Sequence, residues 1–113
     1  MSTIQELAIR QLDAYNASDL DAFVSCYHAE VQVYEGTNLV CEGQEAFRER
    51  YRKLFETFEF GATVPERLTN ADHCMDLEHY WRIDPETQER TEGTILVHYT
   101  ERDGLIGVVR FWR

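Results

Sequence analysis

Proline, glycine and basic residues are all scarce in this chain, with two Pro, six Gly and eleven Lys+Arg among 113 residues. With so little Pro and Gly there is no linker-like stretch to divide the chain, and its length fits one domain over residues 1–113. Set against twenty-one Asp+Glu, the few basic residues leave a formal net charge of −10. A polyanion is repelled by such a field, so nucleic acid is excluded as an expected partner. The acidic residues are scattered, which reads as a solvated surface and not as a cation site. Only three cysteines occur, Cys26, Cys41 and Cys74, with no C-x-x-C spacing. They offer neither a disulfide framework nor a zinc signature, and a reducing compartment follows. His28, His73, His79 and His98 show no H-x-x-x-H or H-E-x-x-H spacing, so no metal site is expected. No Gly-rich phosphate loop, nucleophile elbow or dinucleotide fingerprint appears, and no cofactor is expected. No basic stretch leads into an apolar run near Met1, and no run of about eighteen apolar residues exists. A soluble cytoplasmic protein with no membrane partner is the expectation. What the chain does have is 43% hydrophobic and 12% aromatic residues, enough to bury a core without staples.

Thr3-x-x-Glu6 reads as a capping box, and Ile4, Leu7, Ala8, Leu12 and Tyr15 follow at helical spacing, predicting a first helix from about Ile4 to Asn16. Ser18-x-x-Asp21 is placed to cap a second helix with Leu20, Phe23, Val24 and Tyr27 on one face. Val31 to Tyr34 is short and β-rich, with Asn38 to Cys41 as its hairpin mate across Glu35-Gly36-Thr37. Glu35 therefore ends a strand, where a side chain can look into a cavity. From Gln44 to Glu59, Phe47, Tyr51, Leu54, Phe55 and Phe58 share a face and predict the third and longest helix. From Ala62 onward the pattern is of strands, with Asp84-Pro85-Glu86-Thr87 and Arg102-Asp103-Gly104 as turns. His73 to Ile83 alternates, and its more apolar face (Met75, Leu77, His79, Trp81, Ile83) is expected to pack toward the helices. Asp76, Glu78, Tyr80 and Arg82 are then expected outside. Helices first and strands last give an α+β cone, with three N-terminal helices packed on a curved, mostly antiparallel sheet that encloses a pocket.

These residues carry a resemblance. Asn16-Ala17-Ser18-Asp19-Leu20-Asp21, Val33-Tyr34-Glu35, Gly43 to Tyr51, and Arg102-Asp103-Gly104-Leu105-Ile106 follow one another as in the nuclear-transport-factor-two-like superfamily, and the chain resembles its SnoaL-like and ketosteroid-isomerase-like branch. That superfold hosts isomerases, cyclases, hydrolases and dehydratases, so the likeness implies a fold more than an activity. In ketosteroid isomerase a carboxylate moves a proton while a Tyr and a protonated Asp hold the oxyanion. The resemblance puts the base on Glu35, the oxyanion Tyr on Gln11 with Tyr15 one turn on, and the protonated Asp on or beside Val97, next to His98. The base position is filled and the strong oxyanion donors are not. Tyr51 matches a supporting Tyr, and His79 and Trp81 match pocket-lining strand positions.

The expected site thus comprises Glu35 and His79 as an acid–base couple, with Gln11, Tyr15, Tyr51, Trp81, Tyr99 and Trp112 as ligand contacts and walls. The function this implies is cofactor-independent movement of a proton on a small apolar carbonyl compound, steroid-like or polyketide-like. The alternative is a non-catalytic ligand-binding or dimeric interaction module. Epoxide opening by an Asp-Arg-Asp type of relay, from Asp76, Glu78 and Arg110, ranks last because the first two are expected on the outer face. A last sheet segment apolar on both faces implies a homodimer.

Overall fold

The structure is a computed structural model, and it describes residues 2–113. Its elements are α1 (Ile4–Asn16), α2 (Leu20–Val24), β1 (Tyr27–Glu35), β2 (Asn38–Glu42), α3 (Gln44–Thr57), β3 (Glu59–Asn70), β4 (His73–Ile83), β5 (Arg90–Arg102) and β6 (Leu105–Trp112). The strands form one open sheet in the order β2-β1-β6-β5-β4-β3. Only β1 and β6 run parallel; every other neighbouring pair is antiparallel. The three helices cover one face, as the segregation of helix and strand patterns along the chain predicts.

The N-terminal helix begins where its capping box places it. The Glu6 N–H donates to Thr3 Oγ1 at 3.2 Å and the Thr3 N–H donates to Glu6 Oε1 at 3.1 Å, which satisfies two donors that a helix start leaves open. At the other end Asn16 presents its carboxamide to β3 as a strand would: Nδ2 donates to the Ala62 carbonyl at 2.9 Å and Oδ1 accepts from the Ala62 N–H at 2.8 Å. This fixes α1 across the sheet, where it packs on β3, β4, β5 and β6, while α3 lies against β1, β2 and β3. Replacing Asn16 with Ala leaves both Ala62 groups without their partner, and we expect a loss of about 2 kcal/mol, measured by urea unfolding.

Two local expectations are corrected. The cap of α2 is Asp19, whose Oδ1 accepts from the Ala22 N–H at 3.1 Å, because Ser18 is taken up by the corner itself at φ 56°. The helix is only five residues long, and Tyr27 opens β1 instead of sharing the face of α2. The Asp103-Gly104 turn is as expected: both residues have positive φ, 52° and 80°, the backbone that joins two twisted strands in a tight hairpin.

Between the helices and the sheet lies an aromatic cluster centred on Phe23. Its ring lies 5.0 to 5.8 Å, centroid to centroid, from Tyr15, Tyr27, Phe47, Tyr51 and Phe55. Such tilted contacts among large rings hold α1, α2 and α3 to one another without disulfides, and Cys26, Cys41 and Cys74 are all free.

The main correction concerns β4. Cys74 and Asp76 are buried, and Glu78, Tyr80 and Arg82 continue on the same, helix-covered face. His79 and Trp81 therefore lie on the opposite face, with His79 exposed, and so does Trp112 of β6, which is 42% exposed. The reason is that the concave face is not uniformly packed. Where the cone leaves a cavity, polar side chains gain water or partners by facing it, and the apolar Met75, Leu77 and Trp81 are half-covered by neighbours on the outer face. Trp81 lies flat across Gly61 of β3, so closely that a Cβ there would meet the indole at 2.9 Å.

Candidate active site

A cavity of about 330 Å³ opens between α1, α3 and the concave side of the sheet. From α1 come Gln11 and Tyr15, from α2 Phe23 and from the start of β1 Tyr27. The α3 helix supplies Arg50, Tyr51 and Leu54. The sheet supplies Glu78, Tyr80 and Arg82 from β4, Ile95 and Tyr99 from β5, and Val109 and Phe111 from β6, with Arg113 just beyond it. Helical spacing on α1 and α3 and strict alternation on β4, β5 and β6 aim these side chains at one space.

Glu78 is the acid of this cavity. Its carboxyl is pushed up to about 7, first by the loss of water around it and then by the charge of Asp76 two residues away on the same face. A carboxyl so placed can both take up and release a proton near neutral pH. Around it the phenols remain neutral: burial, and next the Glu78 charge, hold Tyr15 and Tyr99 well above the ordinary tyrosine value, and burial takes Tyr51 to about 12. All three therefore keep an O–H to donate. Gln11 is committed elsewhere, since its Nε2 donates to the Ala8 carbonyl at 3.0 Å and its Oε1 accepts from the Tyr27 hydroxyl at 3.0 Å. Tyr80 leans over Gly93 of β5, where any side chain would collide with the ring.

Behind Glu78 stands a buried ion pair. Asp76 is 1% exposed and takes two hydrogen bonds from Arg67 of β3, from Nε at 2.6 Å and Nη2 at 2.9 Å, with the Cys74 thiol donating at 3.3 Å. The Cys74 thiol is itself pushed up to about 12, by burial first and by the Asp76 charge second, so it stays protonated.

Glu35 is at the end of β1 and on the concave side, but it does not line the cavity. Its carboxylate is gripped by Arg113, Nε to Oε2 and Nη2 to Oε1 both at 3.0 Å, and touched by Arg50 Nη2 at 3.3 Å. The Arg113 hydrogen bond holds it below the usual carboxylate value, despite partial burial. Glu35 thus tethers two of the guanidiniums at the cavity's rim.

Comparison with known proteins fits this geometry. The family model of the SnoaL-like domain matches residues 8–109. The chain belongs to the SnoaL-like domain family. No curated protein matches the sequence significantly. Among solved structures, an uncharacterised cystatin-fold protein from Novosphingobium aromaticivorans superposes with a TM-score of 0.88 at 21% identity, over 100% of this chain and 99% of that one. A proposed SnoaL-like polyketide cyclase from Mesorhizobium loti gives 0.74 at 23% identity, over 98% of this chain and 99% of that one. A computationally designed 17-OHP binder gives 0.87 at 14% identity, over 100% and 94%. At these identities the neighbours share the fold, and activity has to be argued from the residues.

Within this SnoaL-like chain, the cavity gathers four of the eight residues singled out from sequence: Gln11, Tyr15, Tyr51 and Tyr99. Glu35 is at the rim, bound to arginines. His79, Trp81 and Trp112 are on the outer face, so Glu35 and His79 do not meet across one pocket. Val97 is buried in the core, and His98 faces outward against His73, with Nδ1 of His73 3.1 Å from Nε2 of His98. The Asp76, Glu78 and Arg110 set is also split, now the other way: the two acids face in, while Arg110 lies over the rings of Tyr34 and Trp112 outside. Glu78 is the residue that sequence reasoning assigned to solvent. The signal was the run Cys74, Asp76, Glu78, Tyr80, a strand face whose two acids are flanked by buriable residues.

Proposed function

We propose that this SnoaL-like protein binds a small, largely apolar carbonyl compound in the cavity and moves a proton on it without a cofactor, with Glu78 as the acid–base group. The observation that carries the reading is a single carboxyl facing a cavity whose other polar walls include the neutral phenols Tyr15, Tyr51 and Tyr99. On a β,γ-unsaturated carbonyl compound, ionised Glu78 takes a proton from the carbon between the carbonyl and the double bond, and the electron pair passes to the carbonyl oxygen to give a dienolate. The phenols are placed to donate hydrogen bonds to that oxygen as its charge develops. Protonated Glu78 then returns the proton to the far carbon of the dienolate, the double bond moves into conjugation, and the carboxylate is regenerated. An acid–base group titrating near neutral pH is suited to both halves of that exchange.

Glu35, as the base expected from the resemblance, is less supported, because a carboxylate held by two guanidiniums is a poor proton acceptor. A second reading, binding without turnover, is supported by the designed 17-OHP binder, which uses the same fold. The exposed Leu39, Leu68, Leu96 and Trp112 support burial of the outer sheet face in a homodimer.

The test is the isomerisation of a β,γ-unsaturated ketosteroid, followed by ultraviolet absorbance of the conjugated product across pH 5 to 9. Turnover that rises with pH through about 7 supports Glu78 as the base. Turnover independent of pH over that range, or lost on Glu35→Gln alone, returns the role to Glu35 or elsewhere. No turnover, with saturable quenching of tyrosine fluorescence by the steroid, leaves the binding reading.

A further inference from the structure

Basic residues are rare in this chain, yet three of the eleven line this cavity: Arg50 from α3, Arg82 from β4 and Arg113 after β6. They come from three elements that are distant in sequence, so no local charge run explains their meeting. Only Glu35 faces them as an ionised partner, and it is shared between Arg50 and Arg113. Arg82 has no carboxylate partner among the described residues, and its guanidinium lies 5.7 Å from the centre of the Tyr80 ring. Glu78, the acid that lines the cavity itself, is neutral whenever it holds its proton.

Counting those groups, three positive charges meet one negative charge when Glu78 is protonated and two when it is not. The rim that Arg50, Arg82 and Arg113 form with Glu35 is electropositive in either state, inside a molecule that carries −10 overall, and none of the three arginines is what shifts Glu78. Among the described residues Arg10, Lys53, Arg82 and Arg110 are the basic side chains with no carboxylate at ion-pair distance, and of these four Arg82 lines the cavity. A guanidinium at the edge of cation–π range of a ring, with no carboxylate on its N–H donors, is suited to an oxyanion such as a carboxylate or a sulfonate. The apolar and phenolic walls supplied by Phe23, Tyr51, Ile95 and Phe111 continue inward from that rim.

We propose that the natural ligand is an amphipathic anion, an apolar ring system bearing a carboxylate or similar acidic group, and that Arg82 binds the acidic group at the cavity's mouth. This rests on the reading of the cavity as a small-molecule site and adds the ligand's charge to it. The apolar body enters toward Glu78 and the tyrosines, and the anion stays at the rim with Arg82 and the Glu35-tethered Arg50 and Arg113.

Two fluorescent probes that differ by one sulfonate separate the possibilities: 8-anilinonaphthalene-1-sulfonate, an anion, and N-phenyl-1-naphthylamine, its neutral counterpart. Each is titrated into the wild-type protein, Arg82→Met and Arg82→Lys. We expect Arg82→Met to weaken the sulfonate probe about fivefold and the neutral probe by less than about twofold, the scale of one exposed charge contact. Arg82→Lys, which keeps the charge, is expected to retain sulfonate binding within about threefold of wild type. Added salt should weaken the sulfonate probe alone. If Arg82→Met leaves the sulfonate probe unchanged, or weakens both probes equally, the proposal is overturned while the cavity remains a ligand site. If neither probe binds wild type, the small-molecule reading itself fails, and this inference with it.

Discussion

Replacing Glu78 with Gln is expected to abolish proton transfer and at the same time to stabilise the protein above pH 7. For catalysis, the amide has the shape of the protonated acid but cannot accept a proton, and loss of a positioned general base commonly costs on the order of 10²- to 10⁴-fold in rate. The stability effect has the opposite sign. The folded state holds the Glu78 proton up to about pH 7, whereas an unfolded chain releases it near 4.5. Between those values the folded state binds more protons, so stability falls as pH rises, and above about 7 the whole penalty is present. A shift from 4.5 to about 7 corresponds to at most about 3 kcal/mol, with the opening of the cavity to water reducing it. Urea unfolding of wild type and Glu78→Gln at pH 4 and pH 8 checks this. Equal stabilities at pH 4 and a more stable variant at pH 8 are the expected pattern. A variant less stable at both values would mean that the ionised carboxylate is itself a structural anchor.

Arg67→Met is expected to be among the most destabilising single changes on the sheet, at about 3–5 kcal/mol, because it leaves the carboxylate of Asp76 buried without its guanidinium. The geometry argues for this size: Asp76 is 1% exposed, and Arg67 supplies two of its three hydrogen bonds. Asp76→Asn should cost less, since it removes the buried charge along with its pairing. Replacing both residues by apolar side chains, Arg67→Met with Asp76→Leu, should recover most of the loss, because no uncompensated charge then remains. Denaturant unfolding of the single and double variants gives the coupling directly. A cost below about 1 kcal/mol for Arg67→Met would show that water or another donor reaches the carboxylate. Asp76→Asn carries a second readout: with the neighbouring charge gone, Glu78 loses its second upward influence, and the pH at which it titrates should fall below that of wild type.

Much of the frame was legible in the sequence because it is fixed by local rules. Thr3 and Glu6 mark the start of α1, Asp103-Gly104 marks the β5–β6 turn, and aromatic spacing from Gln44 marks α3, although its expected end at Glu59 overshoots, since the helix stops at Thr57 and Phe58 is already extended. Of the four cavity residues named from the sequence, Tyr15 and Tyr51 lie on helix faces that periodicity sends inward, Gln11 came from the family resemblance, and Tyr99 lies on a strand whose inward parity the pattern left open. On β4 the same reasoning failed. Alternation says that His73 to Ile83 has two faces, and hydrophobicity then selects Met75, Leu77 and Trp81 as inner. A cavity reverses that choice, since polar side chains that line it are hydrated or paired, and functional sites are where such local conflicts are expected.

By itself, then, the sequence determined the order of elements, the α+β class, the helix faces and the acidic charge, all set by neighbours within a few residues. Only the tertiary structure decided which face of β4 meets the helices, that Glu35 is spent on Arg113 seventy-eight residues away, and that Arg50, Arg82 and Arg113 share one cavity. Those are long-range electrostatic and packing choices. A carboxylate's role depends on how much water and which charges surround it, and for Glu35 and Glu78 these surroundings are assembled by strands and helices that meet only after the chain has folded.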